Sequence, residues 1–312
     1  MEYIILGILI AVILFFLIVN IWDMNRFVVR EHTFTSAKIN KEITFVFLSD
    51  LHDKSYGKDN RKLLEAIDKA KPDALLVGGD MIVARPEEKN DSAKAFMYAL
   101  AKKYTIYYGM GNHEYRSDLY REKYGEMYDE YTQPLMKQGV RFLRNEMMCL
   151  EDFNIRIRGA EIDRRFYKRF VVRHMEDTYL EEILGVNDGC SYEILLAHNP
   201  DYFKQYASYG ADLTLSGHVH GGIIRLPFIG GIASPAVRFF PKYNGGLYRQ
   251  GNSNMIVSCG LGTHTLPMRI FNPAGPRPPF CARRNRAGAF AGSPPLLRWI
   301  CAVMLPWLLA MC

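Results

Sequence analysis

The sequence predicts an α/β domain that follows an N-terminal transmembrane helix. Short apolar runs alternate with amphipathic segments of helical period, which is typical of a sheet with mostly parallel strands. Five of these runs end in a polar cluster that contains Asp, Asn or His. The chain also begins with an apolar segment long enough to cross a bilayer.

Residues 1–22 form the predicted membrane anchor. Tyr3–Trp22 has 20 residues and no charge, and a helix of that length rises about 30 Å. A cleaved signal peptide is the alternative, but it needs a basic leading region and a small-residue cleavage site, which this segment lacks. Arg26 and Arg30 follow the span and no Lys or Arg precedes it, which favours a cytoplasmic position for the rest of the chain.

Residues 23–41 are interpreted as a polar connector and residues 42–273 as the folded domain. Within the domain, Asn60–Ala70 and Ser92–Tyr104 carry apolar residues at helical spacing. Arg116–Lys137 is polar and rich in tyrosine. It is predicted to be a helix whose aromatic stripe packs on the sheet or, alternatively, forms a wall of a cleft.

The charge of the domain is close to neutral. The whole chain carries +6, but the residues after 273 contain five Arg and no Lys, Asp or Glu, so 34 basic and 33 acidic residues remain before them. Nucleic-acid binding requires a basic face, and this composition argues against such a partner. A local basic run at 164–173 is interpreted as a solvated helix face or, alternatively, as a contact to a membrane surface or a substrate phosphate. The six cysteines form no CxxC pair, which indicates free thiols.

The clusters at the ends of the five apolar runs carry the candidate chemistry. Ligands bind beyond the carboxyl ends of strands in open α/β sheets. Residues i and i+2 of a strand point to the same side, so Asp-x-His and His-x-His spacings let two side chains converge on one ion. Ile43–Leu48 precedes Asp50 and His52, Ala74–Val77 precedes Asp80, Thr105–Met110 precedes Asn112, His113 and Glu114, Ile194–Ala197 precedes His198, and Leu213–Leu215 precedes His218 and His220.

Together these side chains predict a metal centre. Carboxylate and imidazole groups suit hard or borderline divalent ions, and a two-ion centre shares one carboxylate. Any one of the histidines alone would be interpreted as structural, but five coincident clusters would not. The candidate ligands are Asp50, His52, Asp80, Asn112, His198, His218 and His220. His264 fits no cluster and is expected to be structural.

The ordered clusters resemble the five motifs of the calcineurin-like metallophosphoesterases. They are Asp50-x-His52, Gly79-Asp80, Gly111-Asn112-His113-Glu114, His198 and Gly217-His218-x-His220. The resemblance extends from about Ile43 to Pro273. The N-terminal anchor and the Ser-Gly-His-x-His-Gly-Gly segment are typical of the small membrane-associated bacterial phosphoesterases of that family.

The resemblance implies a sandwich of two mixed β-sheets flanked by helices, and hydrolysis of a phosphoester by a hydroxide that two divalent ions (Mn, Fe or Zn) activate. It assigns Asp50, His52 and His220 to one ion, Asn112, His198 and His218 to the other, and Asp80 to both. It places His113 beside the leaving group, where a histidine can donate a proton or stabilise charge. Glu114 is expected to support the ligands as a hydrogen-bond partner of an imidazole.

The family and the anchor together favour a phosphodiester or pyrophosphate bond in a phosphorylated small molecule, a nucleotide-sugar or a lipid-linked substrate. This preference is an analogy at the level of the family. Two alternatives remain open: a phosphomonoesterase, and a catalytically silent metal-binding scaffold at the membrane.

Residues 274–312 depart from the family pattern. Related chains usually continue into a closing strand, whereas this tail is rich in Pro, Arg and Cys. A shift of reading frame near Pro273 or Ala274 is one interpretation, and a disordered linker before a hydrophobic end is the other. Leu296–Cys312 is short for a second membrane span and contains Arg298 and Pro306. Loss of the closing strand would expose a sheet edge.

Overall fold

The computed structural model of the protein describes residues 1–226, 230–234, 238–263, 267–272 and 296–301. Eight α-helices and fourteen β-strands lie in these ranges. The helices are α1 Glu2–Met24, α2 Arg61–Ala70, α3 Asp91–Ala101, α4 Asn112–Leu119, α5 Arg121–Tyr124, α6 Met127–Lys137, α7 Tyr179–Leu184 and α8 Phe203–Ser208. The strands are β1 Arg30–Thr35, β2 Ile43–Leu48, β3 Ala74–Val77, β4 Ile106–Gly109, β5 Arg141–Leu143, β6 Met147–Leu150, β7 Ile155–Ala160, β8 Tyr192–Ala197, β9 Leu213–Ser216, β10 Arg225–Leu226, β11 Gly230–Gly231, β12 Gly246–Gln250, β13 Ser253–Val257 and β14 Leu296–Cys301.

Two six-stranded mixed sheets form the domain. The first has the order β1-β14-β2-β3-β4-β5, and every neighbouring pair is parallel except β1 with β14. The second has the order β12-β13-β9-β8-β7-β6, in which β12 and β6 are antiparallel to their neighbours and the inner strands are parallel. These two mixed sheets, flanked by helices, confirm the predicted fold class.

The alternation of side chains along β2 explains how the layers pack. Phe45 and Phe47 lie in the core between the two sheets, whereas Val46 and Leu48 lie in the core that α2 and α3 cover. Successive side chains of a strand point to opposite faces, so a strand buried on both faces must be apolar throughout. The part Phe45–Leu48 of this strand meets that requirement, whereas Thr44 near its start is only partly buried. The second sheet packs its outer face against α7 and α8.

The structure corrects the predicted elements at two places. The segment Arg116–Lys137 is three short helices, α4 to α6, because the chain leaves helical geometry at Tyr120 and at Gly125, whose φ is positive. Tyr128 and Tyr131 of this segment are buried, as the packing interpretation requires. The polar connector contains the strand β1.

Six residues of the anomalous tail have a position in the sheet. β14 lies between β1 and β2 and pairs in parallel with β2 from Leu297↔Ile43 to Ile300↔Val46. A strand from this tail therefore covers the edge of β2. For these six residues, the interpretation of the tail as a disordered linker is wrong. The reading-frame interpretation and the domain limits stay predictions, and His264 lies outside the described residues.

The helix α1 is long and apolar enough to cross a membrane, with a mean hydropathy of 3.3 and an exposed surface along its apolar window. Its last turns contact the segment 267–272. Asn20 accepts a hydrogen bond from the Arg269 N–H at 2.7 Å, and Asp23 accepts one from the Asn272 N–H at 2.8 Å. Asp23 is 1% exposed, so the end of this helix is part of the packed domain.

We expect Asp23→Ala to lower the melting temperature of the full chain in detergent. The substitution leaves the buried Asn272 N–H without its acceptor, and such a loss costs about 1–3 kcal/mol of unfolding free energy. Glu2→Ala removes an exposed acid from the same helix and is the matched control, with an unchanged melting temperature. Equal melting temperatures for both variants and the parent chain would contradict docking through Asp23.

Candidate metal centre and active site

The predicted ligands lie at the carboxyl ends of strands from both sheets. Asp50, His52, Asp80 and Asn112 follow strands β2, β3 and β4 of the first sheet. His198, His218 and His220 follow strands β8 and β9 of the second. The two sheets pack face to face, so these ends meet at one edge of the sandwich.

One group of three ligand-type side chains consists of Asp50, His52 and His220, whose ligand atoms all lie within 4.8 Å of one another. The Nε2 atoms of His52 and His220 are 3.0 Å apart. The His220 Nε2 is 3.5 Å from the Asp50 Oδ1. All three side chains are buried.

A second group consists of Asp80, His198 and His218. The His198 Nε2 lies 3.2 Å from the Asp80 Oδ2, and the rings of His198 and His218 are 5.3 Å apart. The same Asp80 Oδ2 is 3.8 Å from the His52 Nε2. Asp80 therefore lies between the two groups and can reach an ion in either.

The fit to a cation can be tested on Asn112. Its side-chain oxygen is buried and has no hydrogen-bond partner in the part of the chain that the structure describes. A buried acceptor without a partner is costly, and a metal ion is an interaction that would compensate that cost. Oxygen and imidazole donors together suit Mn, Fe or Zn, so the residues present fit a divalent ion.

Backbone carbonyls orient two of the imidazoles. The Nδ1 of His198 is 2.6 Å from the Gly78 carbonyl oxygen, and the Nδ1 of His220 is 3.1 Å from the Gly262 carbonyl oxygen. A carbonyl oxygen can only accept, so each Nδ1 carries a proton, and the neutral form of each ring has its lone pair on the Nε2 that faces the cluster. Such outer contacts set the tautomer of metal-binding histidines in general.

Charge within the cluster is balanced between carboxylates and imidazoles. Burial raises the pKa of Asp50 to about 6, although nearby His198 acts in the opposite direction. Burial opposes a charge on His198, but the carboxylates of Asp80 and Asp50 outweigh it and raise the pKa of His198 to about 10. His198 must lose that proton before it can bind a metal ion, so ion binding replaces one positive charge by another.

Glu114 supports the turn that carries Asp80. Its Oε2 accepts a hydrogen bond from the Asp80 N–H at 2.8 Å, and its Oε1 accepts from the Met81 N–H and the Tyr108 hydroxyl. Burial, with Asp80 nearby, raises the pKa of Glu114 to about 7. The sequence predicted an imidazole as the partner of Glu114, whereas these contacts are to backbone amides and a tyrosine. Glu114 therefore fixes the Asp80 carboxylate through the main chain.

The tautomer of His113 follows from its backbone contact. The Ala84 N–H donates to the His113 Nδ1 at 2.8 Å. An N–H group can only donate, so this Nδ1 accepts and the neutral ring carries its proton on Nε2. A ring nitrogen of His113 lies within 4.8 Å of ligand atoms of His52 and Asp80. His113 can thus offer a hydrogen bond to an oxygen at the centre.

The backbone at the site is strained. Five of the seven predicted ligands have a positive φ, which is uncommon for residues other than glycine and concentrates at functional sites. They are Asp50, His52, Asp80, His218 and His220. Gly111 is required for close approach, because a Cβ at this position would lie 2.3 Å from the Asp80 Oδ1.

The sequence did not predict two residues, Arg269 and Asn272, that bind the backbone around His220 and residues 259–262. Arg269 is 2% exposed and donates to the carbonyl oxygens of Cys259, Gly260, Gly262 and Asn272. The Asn272 side chain donates to the His220 carbonyl oxygen at 2.8 Å. The available signal was an Arg and an Asn within an otherwise apolar segment at 266–273.

Comparison with known proteins agrees with this geometry. The family model for the calcineurin-like phosphoesterases matches residues 43–222, more than half of the chain. A metallophosphoesterase of Aquifex aeolicus is 30% identical over 252 residues, which cover 78% of this chain and 88% of the relative. The metallophosphoesterase YkuE of Bacillus subtilis is 28% identical over 256 residues, 77% of this chain and 80% of the relative.

A more distant relative carries a specific activity in its name. It is the UDP-2,3-diacylglucosamine pyrophosphatase LpxG of Chlamydia muridarum, 23% identical over 60% of this chain and 66% of its own length. The match of the family model spans all seven predicted ligand positions and ends two residues beyond the last of them, His220. With five strand ends that bring two groups of ligand-type side chains together around Asp80, the chain belongs to the calcineurin-like phosphoesterase family.

Proposed function

We propose that the protein hydrolyses a phosphodiester or pyrophosphate bond at a centre of two divalent ions. The observation that carries the proposal is the position of Asp80, whose Oδ2 is 3.2 Å from the His198 Nε2 and 3.8 Å from the His52 Nε2. Two bound ions would lower the pKa of a shared water and neutralise phosphate oxygens. Mn, Fe or Zn fits the donor set.

The ligands divide between two ions in this proposal. Asp50, His52 and His220 hold one ion, because their ligand atoms form one compact group. His198 and His218 hold the other, and the buried Asn112 oxygen completes that set. Asp80 binds both ions.

His113 acts on the leaving group. Its Nδ1 is occupied by the Ala84 N–H, so the Nε2–H is the atom that can reach a substrate oxygen. The leaving oxygen gains negative charge as its bond to phosphorus breaks, and a hydrogen bond from His113 stabilises that charge. A full proton transfer would require a doubly protonated ring, which the Ala84 contact opposes.

A substrate at the membrane surface is the third part of the proposal. The helix α1 supplies an anchor by length and composition, and its end docks on the domain through Asn20 and Asp23. Arg26 and Arg30 after the span favour the cytoplasmic face. LpxG, named as a pyrophosphatase of a lipid-linked nucleotide, supports a phosphorylated small-molecule or lipid-linked substrate by analogy.

The decisive experiment uses the purified full chain in detergent, loaded with Mn²⁺. We expect turnover of bis(4-nitrophenyl) phosphate to exceed turnover of 4-nitrophenyl phosphate. The reverse order would favour the phosphomonoesterase. Turnover of neither, with metal bound, would favour a metal-binding scaffold and overturn the proposal.

We expect His113→Ala to keep its metal content and to lower kcat for the diester about 10²–10⁴-fold, because a group that assists the leaving oxygen contributes about that much. Metal analysis and steady-state kinetics measure the two effects. His174→Ala removes an exposed histidine and is the matched control, with kcat unchanged. Full activity of His113→Ala would remove this residue from the mechanism.

We expect Asp80→Asn to reduce the bound metal from two ions per chain towards none, because both ions lose the shared carboxylate. Elemental analysis after dialysis at a fixed free Mn²⁺ concentration measures the stoichiometry. The control is Asp152→Asn, at an exposed carboxylate that pairs with Lys41. A variant that retains one ion at wild-type affinity would contradict the bridging role.

A further inference from the structure

A cavity of about 640 Å³ opens beside the metal centre, and Asn112 is one of its lining residues. Five of the eight residues that line it are cationic and none is acidic. The cationic ones are Arg116, Arg164, Arg165, Lys168 and Arg169. A cavity of this size can hold a small anionic group together with part of the molecule that carries it.

No carboxylate within 4.0 Å neutralises these five side chains in the described part of the chain. The Arg164 guanidinium lies 4.6 Å from the centre of the Tyr120 ring, and the Arg165 guanidinium lies 4.8 Å from that of Phe166. Several other arginines of the protein pair with acids, as Arg144 does with Asp118 and Glu161. Several cations gathered without acids repel one another, so this wall is suited to an anion.

The cavity adjoins the metal centre at His198 and His218. The Tyr167 ring, in its wall, is 5.3 Å from the His218 ring and 6.2 Å from the His198 ring. The Arg116 Nη2 is 3.5 Å from the His113 Nδ1. A group attached to a phosphorus at the metal centre can therefore extend past Asn112 and Tyr167 into the cavity.

We propose that this cavity binds a second phosphate of the substrate, the one that leaves, and that the enzyme is therefore selective for pyrophosphate diesters. This inference rests on the proposed hydrolytic function. Water supplies an oxygen to the phosphorus at the metal centre, and the bond from that phosphorus to the bridging oxygen breaks. The bridging oxygen keeps the electron pair and leaves with the second phosphate, so the products are two phosphomonoesters and the protons of the water pass to solvent.

The chemistry of the leaving group agrees with the composition of the wall. The second pKa of a phosphomonoester is about 6, so this leaving group departs as a stable anion and gains little from protonation of its oxygen. Cations fixed where negative charge develops stabilise the transition state more than the ground state. The basic run at 164–169 supplies them, whereas an alkoxide from a simple diester would not extend to it.

The test compares two substrates in the Mn²⁺-loaded full chain in detergent. UDP-glucose carries a pyrophosphate, and bis(4-nitrophenyl) phosphate carries a single phosphate. The double variant Lys168→Gln, Arg169→Gln changes two exposed side chains of the wall. We expect kcat/KM for UDP-glucose to fall at least tenfold more than kcat/KM for the single-phosphate diester. Arg173→Gln, on the same basic run but outside the wall, is the matched control and should leave the ratio unchanged.

An equal fall for both substrates, an unchanged ratio, or the same change in Arg173→Gln would overturn the second-phosphate site. A membrane contact is a distinct outcome, tested with vesicles that contain about 30% phosphatidylserine, an anionic content that attracts basic segments. If all variants bind these vesicles less tightly and the ratio of kcat/KM values is unchanged, the basic run faces lipid and the proposal fails.

A binding measurement separates this inference from the proposed function. If the wild-type chain hydrolyses neither substrate, the hydrolytic proposal fails, and titration calorimetry with methylenediphosphonate and with methylphosphonate still tests the cavity. The double variant should lose at least tenfold in affinity for the diphosphonate and less for the monophosphonate. Equal losses, or none, would overturn the second-phosphate site on their own.

Discussion

The buried carboxylate of Asp80 is the constraint on which the rest of the site depends. Asp80 is 2% exposed. A charge buried to this extent is tolerated only when it is paired with opposite charge and hydrogen-bonded. Its Oδ1 accepts from the His113 N–H at 2.7 Å, and its Oδ2 faces His198 and His52. Burial alone would raise the pKa of Asp80, but the surrounding imidazoles, His198 first, hold it well below the usual range. The two sheets must therefore meet where this carboxylate lies, because one sheet supplies it and the other supplies His198.

The strap formed by residues 267–272 extends this dependence to the apolar helix α1. Arg269 is buried without a carboxylate partner among the described residues, and its guanidinium is satisfied by carbonyl oxygens, including that of Gly262. The same Gly262 carbonyl orients the His220 imidazole. At its other face the strap binds Asn20 and Asp23 of α1. One short segment thus joins the position of His220, a candidate ligand, to α1 through a few hydrogen bonds.

Periodicity and residue type predicted the strands and the convergence of their ends, because both depend on local chemistry. Ile43–Leu48 and Ala74–Val77 are strands at the predicted bounds. The left-handed backbone of Asp80 and His218 could not be predicted, since no glycine marks it and tertiary contacts impose it. The break at Tyr120 likewise has no glycine, whereas the break at Gly125 falls on a glycine of positive φ, a signal that the sequence interpretation did not use. The partner of Glu114 was missed because main-chain donors carry no sequence signal.

All candidate ligands and His113 precede Ile223 in the sequence, but some of the residues that position them follow it. His220 ends the motif series, and its ring and carbonyl are held by Gly262 and Asn272, about 40 to 50 positions later in the chain. Two buried residues of the strap provide this support: Asn272 is fully buried and Arg269 is 2% exposed. The described chain between Ile223 and Asn272 therefore serves the site as a scaffold rather than as a source of ligands. A chain that ended at the last motif would keep every ligand and lose the contacts that aim one of them.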